Sequence, residues 1–257
     1  RLVLMKIGEL WGANHDHFDT GCFQIYCDGI LASDSGVYDG YGTDHRKFYT
    51  ISTGAHNCLT VFDPAKPNHD DIAPETPYDG GVRRPCRGRE PIKLEQWVQN
   101  YRMATVLSHK ESQTLCQIEG DLSEAYRHTC HKVIRNMCWE PQKGEKGVLT
   151  VHDLVDAKSD SFIAAFHLHC QSAPKVLGNV FTISNEKAKL VCRVLKPEKP
   201  VIRAIGGEGQ GFIVDGVNYD TPDKENTEAG WGQVIITSES RTAHTEFLVE
   251  MELQSNL

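Results

Sequence analysis

Short apolar or alternating runs, each closed by turn residues, constrain the fold of this chain more than any other feature. They fall at Cys22–Cys27, Ile30–Ala32, Cys58–Phe62, Met103–Leu107, Thr114–Ile118, His131–Cys138, Val148–Leu154, Phe162–Leu168, Phe181–Ile183, Lys189–Val194, Gly211–Val214, Gln233–Thr237 and Glu246–Leu253. Asp28-Gly29, Asp39-Gly40, Gly80-Gly81, Gly206-Gly207 and Asp215-Gly216 punctuate them. A two-residue period puts alternate side chains on opposite faces of a strand, and Gly supplies the backbone freedom that tight turns require. Helical periodicity is weak, with room for a turn within Lys93–Ser108. The expected architecture is therefore all-β: stacked antiparallel sheets forming a large β-sandwich. The cluster Lys196-Pro197-Glu198-Lys199-Pro200 suggests a boundary, dividing a sandwich of residues 1–195 from a small β subdomain of residues 196–257.

Composition narrows the function. At 257 residues, with 39% hydrophobic and 24% charged side chains, the chain has enough apolar material for a sizeable core. No apolar run approaches the roughly 20 residues of a membrane helix. The formal charge of −8 argues against bulk binding to nucleic acid or to an anionic membrane. The nine cysteines are scattered, odd in number and never spaced Cys-x-x-Cys, which reads as free thiols in a reducing environment.

The segment Asn14-His15-Asp16-His17-Phe18-Asp19-Thr20-Gly21 is the densest concentration of chemistry. If it is extended, His15, His17 and Asp19 share a face opposite Phe18. His17, Asp34 and His56 are the metal candidates, and two imidazoles with a carboxylate suit zinc better than the all-oxygen shells of magnesium or calcium. The competing reading of the same residues is hydrogen-bonded or surface histidine. His15 has a ring suited to proton transfer near neutrality, or it supports His17 from behind. Tyr38 and Tyr49 are candidates for stacking on a sugar, although packing is the commoner role of a lone Tyr. Arg83, Arg84, Arg87 and Arg89 sit in a Gly/Pro-rich stretch, as an anion clamp or as a solvated loop. His167 and His169 have no carboxylate close by in sequence and are taken as structural.

The run His-x-His-x-Asp-x-Gly-x-Phe-x-Ile-Tyr, the following Asp-Ser-Gly-x-Tyr, Ala55-His56-Asn57 before a Val-Phe-Asp-Pro strand, and Gly206-Gly207-x-Gly209-x-x-Phe212-x-Val214-Asp215-Gly216-x-Asn218-Tyr219 form a recognisable set. Together they resemble the C-terminal β-sheet region of heparinase II/III-type polysaccharide lyases, closest to the heparinase II branch. The resemblance implies β-elimination on an anionic, uronic-acid polysaccharide of the glycosaminoglycan kind. It implies a structural zinc at His17, Asp34 and His56, His15 facing the cleft as an acid/base candidate, and Tyr38 near the sugar. It further implies a partner domain, an N-terminal helical toroid supplying the main catalytic Tyr, which this sequence does not contain, and it admits a homodimer. The chain starts without Met and close to its motif, so it reads as a fragment with little activity of its own. Two alternatives stand beside the lyase. One is a non-catalytic carbohydrate-binding sandwich. The other is a cupin-type metalloenzyme, which Asp19 fits poorly because it lies too close to the histidine pair.

Overall fold

The alternating runs become strands whose inward residues are buried and whose outward residues meet solvent. The computed structural model describes residues 1–10, 15–65, 79–83, 93–142, 146–214, 216–221 and 231–255. Its largest element is an eight-stranded antiparallel sheet, in the order Lys175–Leu177, Val180–Ser184, Ala188–Lys196, His244–Ser255, Lys146–Ala157, Cys130–Gln142, Cys116–Asp121 and Thr105–Glu111. A four-stranded sheet runs Pro200–Gly206, Gly232–Ser238, Ile163–Cys170, Leu59–Phe62, and a three-stranded sheet runs Leu2–Met5, Phe23–Tyr26, Ile30–Ala32. A short ribbon pairs Ile213–Val214 with Val217–Asn218. Among the described residues, helix is confined to Leu94–Tyr101, a π-helical segment at His45–Thr50 and one 3-10 turn at Thr53–Ala55. No helix among the described residues is long and apolar enough to cross a membrane.

The three larger sheets share one core. Phe23, Phe166 and Phe247, one from each sheet, form a row with ring centroids 6.1 and 6.2 Å apart. Around them, Val133 and Met137, Leu149, Val151 and Val155, and Val249, Met251 and Leu253 fill the inner face of the large sheet. This is the all-β sandwich that the runs predict. The expected boundary at residue 196 does not divide it. Strand His244–Ser255 lies inside the large sheet, between Ala188–Lys196 and Lys146–Ala157, and Pro200–Gly206 and Gly232–Ser238 extend the sheet that holds Ile163–Cys170. Pairing between strands distant in sequence overrides the Pro-rich signal.

Two charges sit in the middle of this apolar stack. Arg135 and Asp153 face each other across neighbouring strands, both fully buried. Arg135 donates from Nε and Nη2 to the two Asp153 carboxylate oxygens at 2.7 and 2.8 Å, a bidentate fork. Its Nη1 donates to the carbonyls of Gly21 at 2.7 Å and Asn57 at 3.1 Å, and the guanidinium carbon lies 5.5 Å from the centre of the Phe166 ring. Gly21 must be glycine there. Its φ is +85°, and a Cβ would fall 2.7 Å from Leu122 Cδ1.

Removing one member of this pair strands the other in the core. Asp153→Ala should cost about 3–5 kcal/mol of stability, read as a lowered midpoint in urea denaturation followed by circular dichroism. A loss under about 1 kcal/mol, the range of an exposed pair, would show that Arg135 finds other compensation.

Candidate functional site

The site is assembled by the backbone that Arg135 holds. Gly21 precedes Cys22, and Asn57 follows His56. Asn57 in turn donates from Nδ2 to the Phe23 carbonyl at 2.7 Å, while its Oδ1 accepts from the His169 backbone N–H at 2.7 Å. The 3-10 turn Thr53–Ala55 leads into His56, whose N–H donates to the Thr53 carbonyl at 3.0 Å. Thr53 Oγ1 donates to the Phe18 carbonyl at 2.7 Å, tying the histidine-rich segment to the same turn.

Within this frame Cys22, Asp34 and His56 offer donor atoms all within 4.8 Å of one another. Asp34 Oδ1 lies 3.0 Å from His56 Nδ1 and 3.2 Å from Cys22 Sγ. Ligands about 2.0–2.3 Å from a tetrahedral zinc stand roughly 3.3–3.6 Å apart, so the two separations from Asp34 need to grow only slightly to hold one. The close approach of Nδ1 to the carboxylate lacks hydrogen-bond alignment, and both nitrogens of fully buried His56 are without a hydrogen-bond partner. A buried polar atom without a partner is costly, and a cation would remove that cost for the nitrogen it binds. The donor set therefore fits a divalent metal of the zinc type.

Burial and neighbouring charge both act on these groups. Burial opposes the Asp34 carboxylate, but the His56 imidazole 3.0 Å away outweighs it and holds the group well below the usual carboxylate range. For His56, burial opposes charging and Asp34 overcomes it, so its pKa is raised. His17 goes the other way. Its ring lies 5.1 Å from that of His56, and burial followed by repulsion from His56 lowers it to about 4. His169, fully buried, donates from Nε2 to the Gly54 carbonyl at 2.8 Å, and burial lowers it to about 3.

The segment from His15 to Asp19 is not the extended strand that would place His15, His17 and Asp19 on one face. His15 adopts a left-handed φ of 65° and points to the surface, where its Nε2 lies 2.6 Å from the Tyr41 hydroxyl. Asp19 instead pairs with Lys6 at 2.7 Å. Of the expected ligands, Asp34 and His56 are brought into direct contact, and His17 lies beside His56 by ring packing. Cys22 joins the group although its sequence context gave no sign of ligation.

The expected sugar contacts divide. Tyr38 is exposed. Tyr49 is fully buried and donates to Ser35 Oγ at 2.8 Å, packing with His45 and Phe212 below the short ribbon, so it supports the loop and cannot stack on a sugar. Arg83 is likewise buried, donating to the carbonyls of Glu124 at 2.7 Å and Arg102 at 2.9 Å, which removes it from an anion clamp. Arg84, Arg87 and Arg89 lie outside the described residues. The guanidinium of Arg46, which no motif singles out, is largely buried and lies 4.6 Å over the ring of exposed Tyr41.

A sandwich of antiparallel sheets carrying a buried imidazole and thiol against a part-exposed carboxylate defines a class of β domain with a group able to hold a metal. Comparison with known proteins makes this more specific. The model of the heparinase II/III-like C-terminal family matches residues 2–249, and the chain belongs to that family. Its fold is similar to the heparan sulfate lyase HepC of Pedobacter heparinus, at 11% identity and a TM-score of 0.58, over 99% of this chain and 33% of that one. A mutant of the same lyase gives 12% identity and a TM-score of 0.60. A heparinase III, the BT4657 gene product, gives 10% and 0.55, covering 96% of this chain and 31% of its own. The chain thus spans about a third of these structures. No curated protein matches it.

The buried histidines set a pH response. For His17, His167 and His169 the folded state binds a proton less readily than the unfolded chain. Their contribution to stability is therefore complete above about pH 6.5 and is lost as pH falls towards about 4 for His17 and about 3 for His169. His56, with a raised pKa, contributes in the opposite sense, its share being lost as pH rises. The lowered Asp34 adds a loss only below the ordinary carboxylate range. In metal-free protein, stability should fall between pH 6.5 and 4, and His169→Gln should flatten that limb by up to ~1.4 kcal/mol per pH unit, one proton's worth. An unchanged limb in urea titrations of the variant would refute the assignment.

Proposed function

We propose that this chain is the β portion of a polysaccharide lyase that cleaves uronic-acid-containing, glycosaminoglycan-type chains by β-elimination. The observation that carries the reading is the family match along residues 2–249, together with a fold shared almost end to end with heparan sulfate lyases. The chemistry requires that the uronate carboxylate be neutralised, that the acidified C5 proton be removed, and that the oxygen leaving C4 receive a proton. Groups on two faces of one sugar serve this best, so a second domain closing over the sandwich is part of the proposal.

His15 is the proton-transfer candidate on this side. It is exposed, its ring nitrogen lies within hydrogen-bond reach of Tyr41 Oη, and it sits two residues from His17. Zinc would be held by Asp34 and His56, with His17 and Cys22 as the nearest further donors, and its charge would compensate the carboxylate and fix the loops on which His15 and Tyr38 stand. Tyr38 is the candidate aromatic for the sugar. A carbohydrate-binding module without catalysis would need neither a proton-transfer histidine nor a metal-type centre, and membership of the heparinase II/III-like family gives no support to the cupin reading.

The test uses the full-length natural protein. Incubation with heparan sulfate, chondroitin sulfate and alginate should raise the ultraviolet absorbance of unsaturated uronate for at least one of them, and no gain with any would sink the lyase reading. His15→Ala should lower kcat by about 100-fold or more while zinc content by mass spectrometry stays at wild-type level. His17→Ala and His56→Ala should lose zinc. Equal metal loss from His15→Ala and His17→Ala would overturn the division of roles.

A further inference from the structure

Arg83 is engaged inside the protein, and the cavity of about 290 Å³ beside Asp34 has no Lys or Arg among its described lining residues. In a chain of net charge −8, an anionic substrate needs a cation elsewhere. Arg46 meets that need. It stands in the π-helical segment His45–Thr50 and is only 8% exposed. Among the described residues its guanidinium donates to no carboxylate or carbonyl, and Asp39 and Asp44, the acidic residues nearest in sequence, form no ion pair with it. Its nitrogens nonetheless keep contact with solvent, since none is among the enclosed polar atoms that lack a partner. A guanidinium largely withdrawn from water without gaining an acceptor is held at a cost, which a bound oxyanion would offset.

Local structure fixes where this cation points. Thr43 Oγ1 accepts from the Arg46 backbone N–H at 3.2 Å and donates to the Gly40 carbonyl at 3.0 Å, which ties the turn Gly40–Thr43 to the helical segment. That turn presents Tyr41, and the guanidinium carbon of Arg46 lies 4.6 Å over its ring. Stacking orients a planar fork of N–H donors, which fits the two oxygens of a carboxylate or a pair of sulfate oxygens. His15 stands at the edge of the same ring, 5.5 Å between centroids at 69°, with Nε2 2.6 Å from the Tyr41 hydroxyl. One tyrosine thus carries the cation on its face and the proton-transfer candidate at its rim. In a uronate the carboxylate is bonded to C5, the carbon that loses its proton, so groups serving the two must be neighbours.

We propose that Arg46, stacked on Tyr41, is an oxyanion-binding residue of this site and takes a carboxylate or sulfate of a saccharide chain. The source of the anion rests on the lyase reading; the residue that holds it rests on the geometry of Arg46 and Tyr41. Arg46 keeps its proton throughout, so its part is recognition and charge compensation. A dication held by Asp34 would add to this attraction and take nothing from it.

The test is isothermal titration calorimetry on the zinc-supplemented full-length protein with three glycosides that have no bond to cleave at C4. They are methyl glucuronopyranoside, methyl glucopyranoside 6-sulfate and neutral methyl glucopyranoside. At least one anionic glycoside should bind saturably and about tenfold more tightly than the neutral one, a difference of ~1.4 kcal/mol. Whichever anion binds more tightly names the group recognised. Arg46→Gln should erase that preference and leave the neutral glycoside's affinity unchanged, while Arg46→Lys should keep a smaller part of it. Tyr41→Ala should reduce the preference, and Tyr41→Phe, which retains the ring, should restore it. Arg193→Gln, at an arginine paired with Glu250 and Glu252 on the large sheet, should change nothing. Folding of each variant is checked by its thermal transition. Equal binding of all three glycosides, or a folded Arg46→Gln that keeps the preference or weakens all three alike, would overturn the inference. Failure of the lyase reading shows separately, as absent unsaturated product from every polysaccharide while an Arg46-dependent preference for the anion persists.

Discussion

The arrangement of this domain depends on one buried ion pair. Taking Arg135 and Asp153 out of water is costly, and their attraction offsets that cost only if every donor is used well. Here the fork to Asp153 is completed by two backbone carbonyls, Gly21 and Asn57, that belong to different segments packed against the large sheet. Replacement by apolar residues of similar volume is often tolerated for stability alone. It would leave those two carbonyls in the core without donors. Their neighbours in sequence are Cys22 and His56, so the ion pair fixes the separation of two members of the donor group from across the sandwich.

The donor group then carries an imbalance into its surroundings. Fully buried His56 has no hydrogen-bond partner at either nitrogen, and Asp34 is drawn towards both His56 and Cys22 by the same oxygen. A chain selected only for packing would have filled this position with hydrocarbon, because orphaned polar atoms at zero exposure lower stability without return. The lowered pKa of His17 follows first from burial and then from the same crowding, since a protonated His56, its ring centre 5.1 Å away, repels a second positive charge. Neutral imidazoles are also the form that binds a metal.

Much of this could be seen in the sequence, and the failures have local causes. Alternation locates the long strands because one face of each is buried, while Asp34 and His56 stand out as the carboxylate and imidazole that complete a zinc-type set with His17. Cys22 gave no sign, since a lone cysteine at a strand entry looks like any small apolar residue. The ion pair was present in the pattern. Arg135 lies between inward Val133 and Met137, and Asp153 between inward Val151 and Val155, so each charge occupies a core position of its own strand. The burial of Tyr49 and Arg83 is not legible locally, because it is set by what packs above them, the segment from Gly211 to Val214 and the segment around Glu124, both distant in sequence. The supposed boundary near residue 196 failed for a similar reason. Local breakers mark a turn, and only the pairing of His244–Ser255 with Lys146–Ala157 shows that the chain returns to the middle of the sheet.

Asp34 faces two environments at once. One carboxylate oxygen faces the buried thiol and imidazole, while the other accepts from Gln24 at the wall of the open cavity. Its charge is needed on the inner side, where a cation would be balanced against it. On the outer side Gln24 holds the second oxygen, so the orientation of the carboxylate toward the thiol and imidazole is set from the cavity wall.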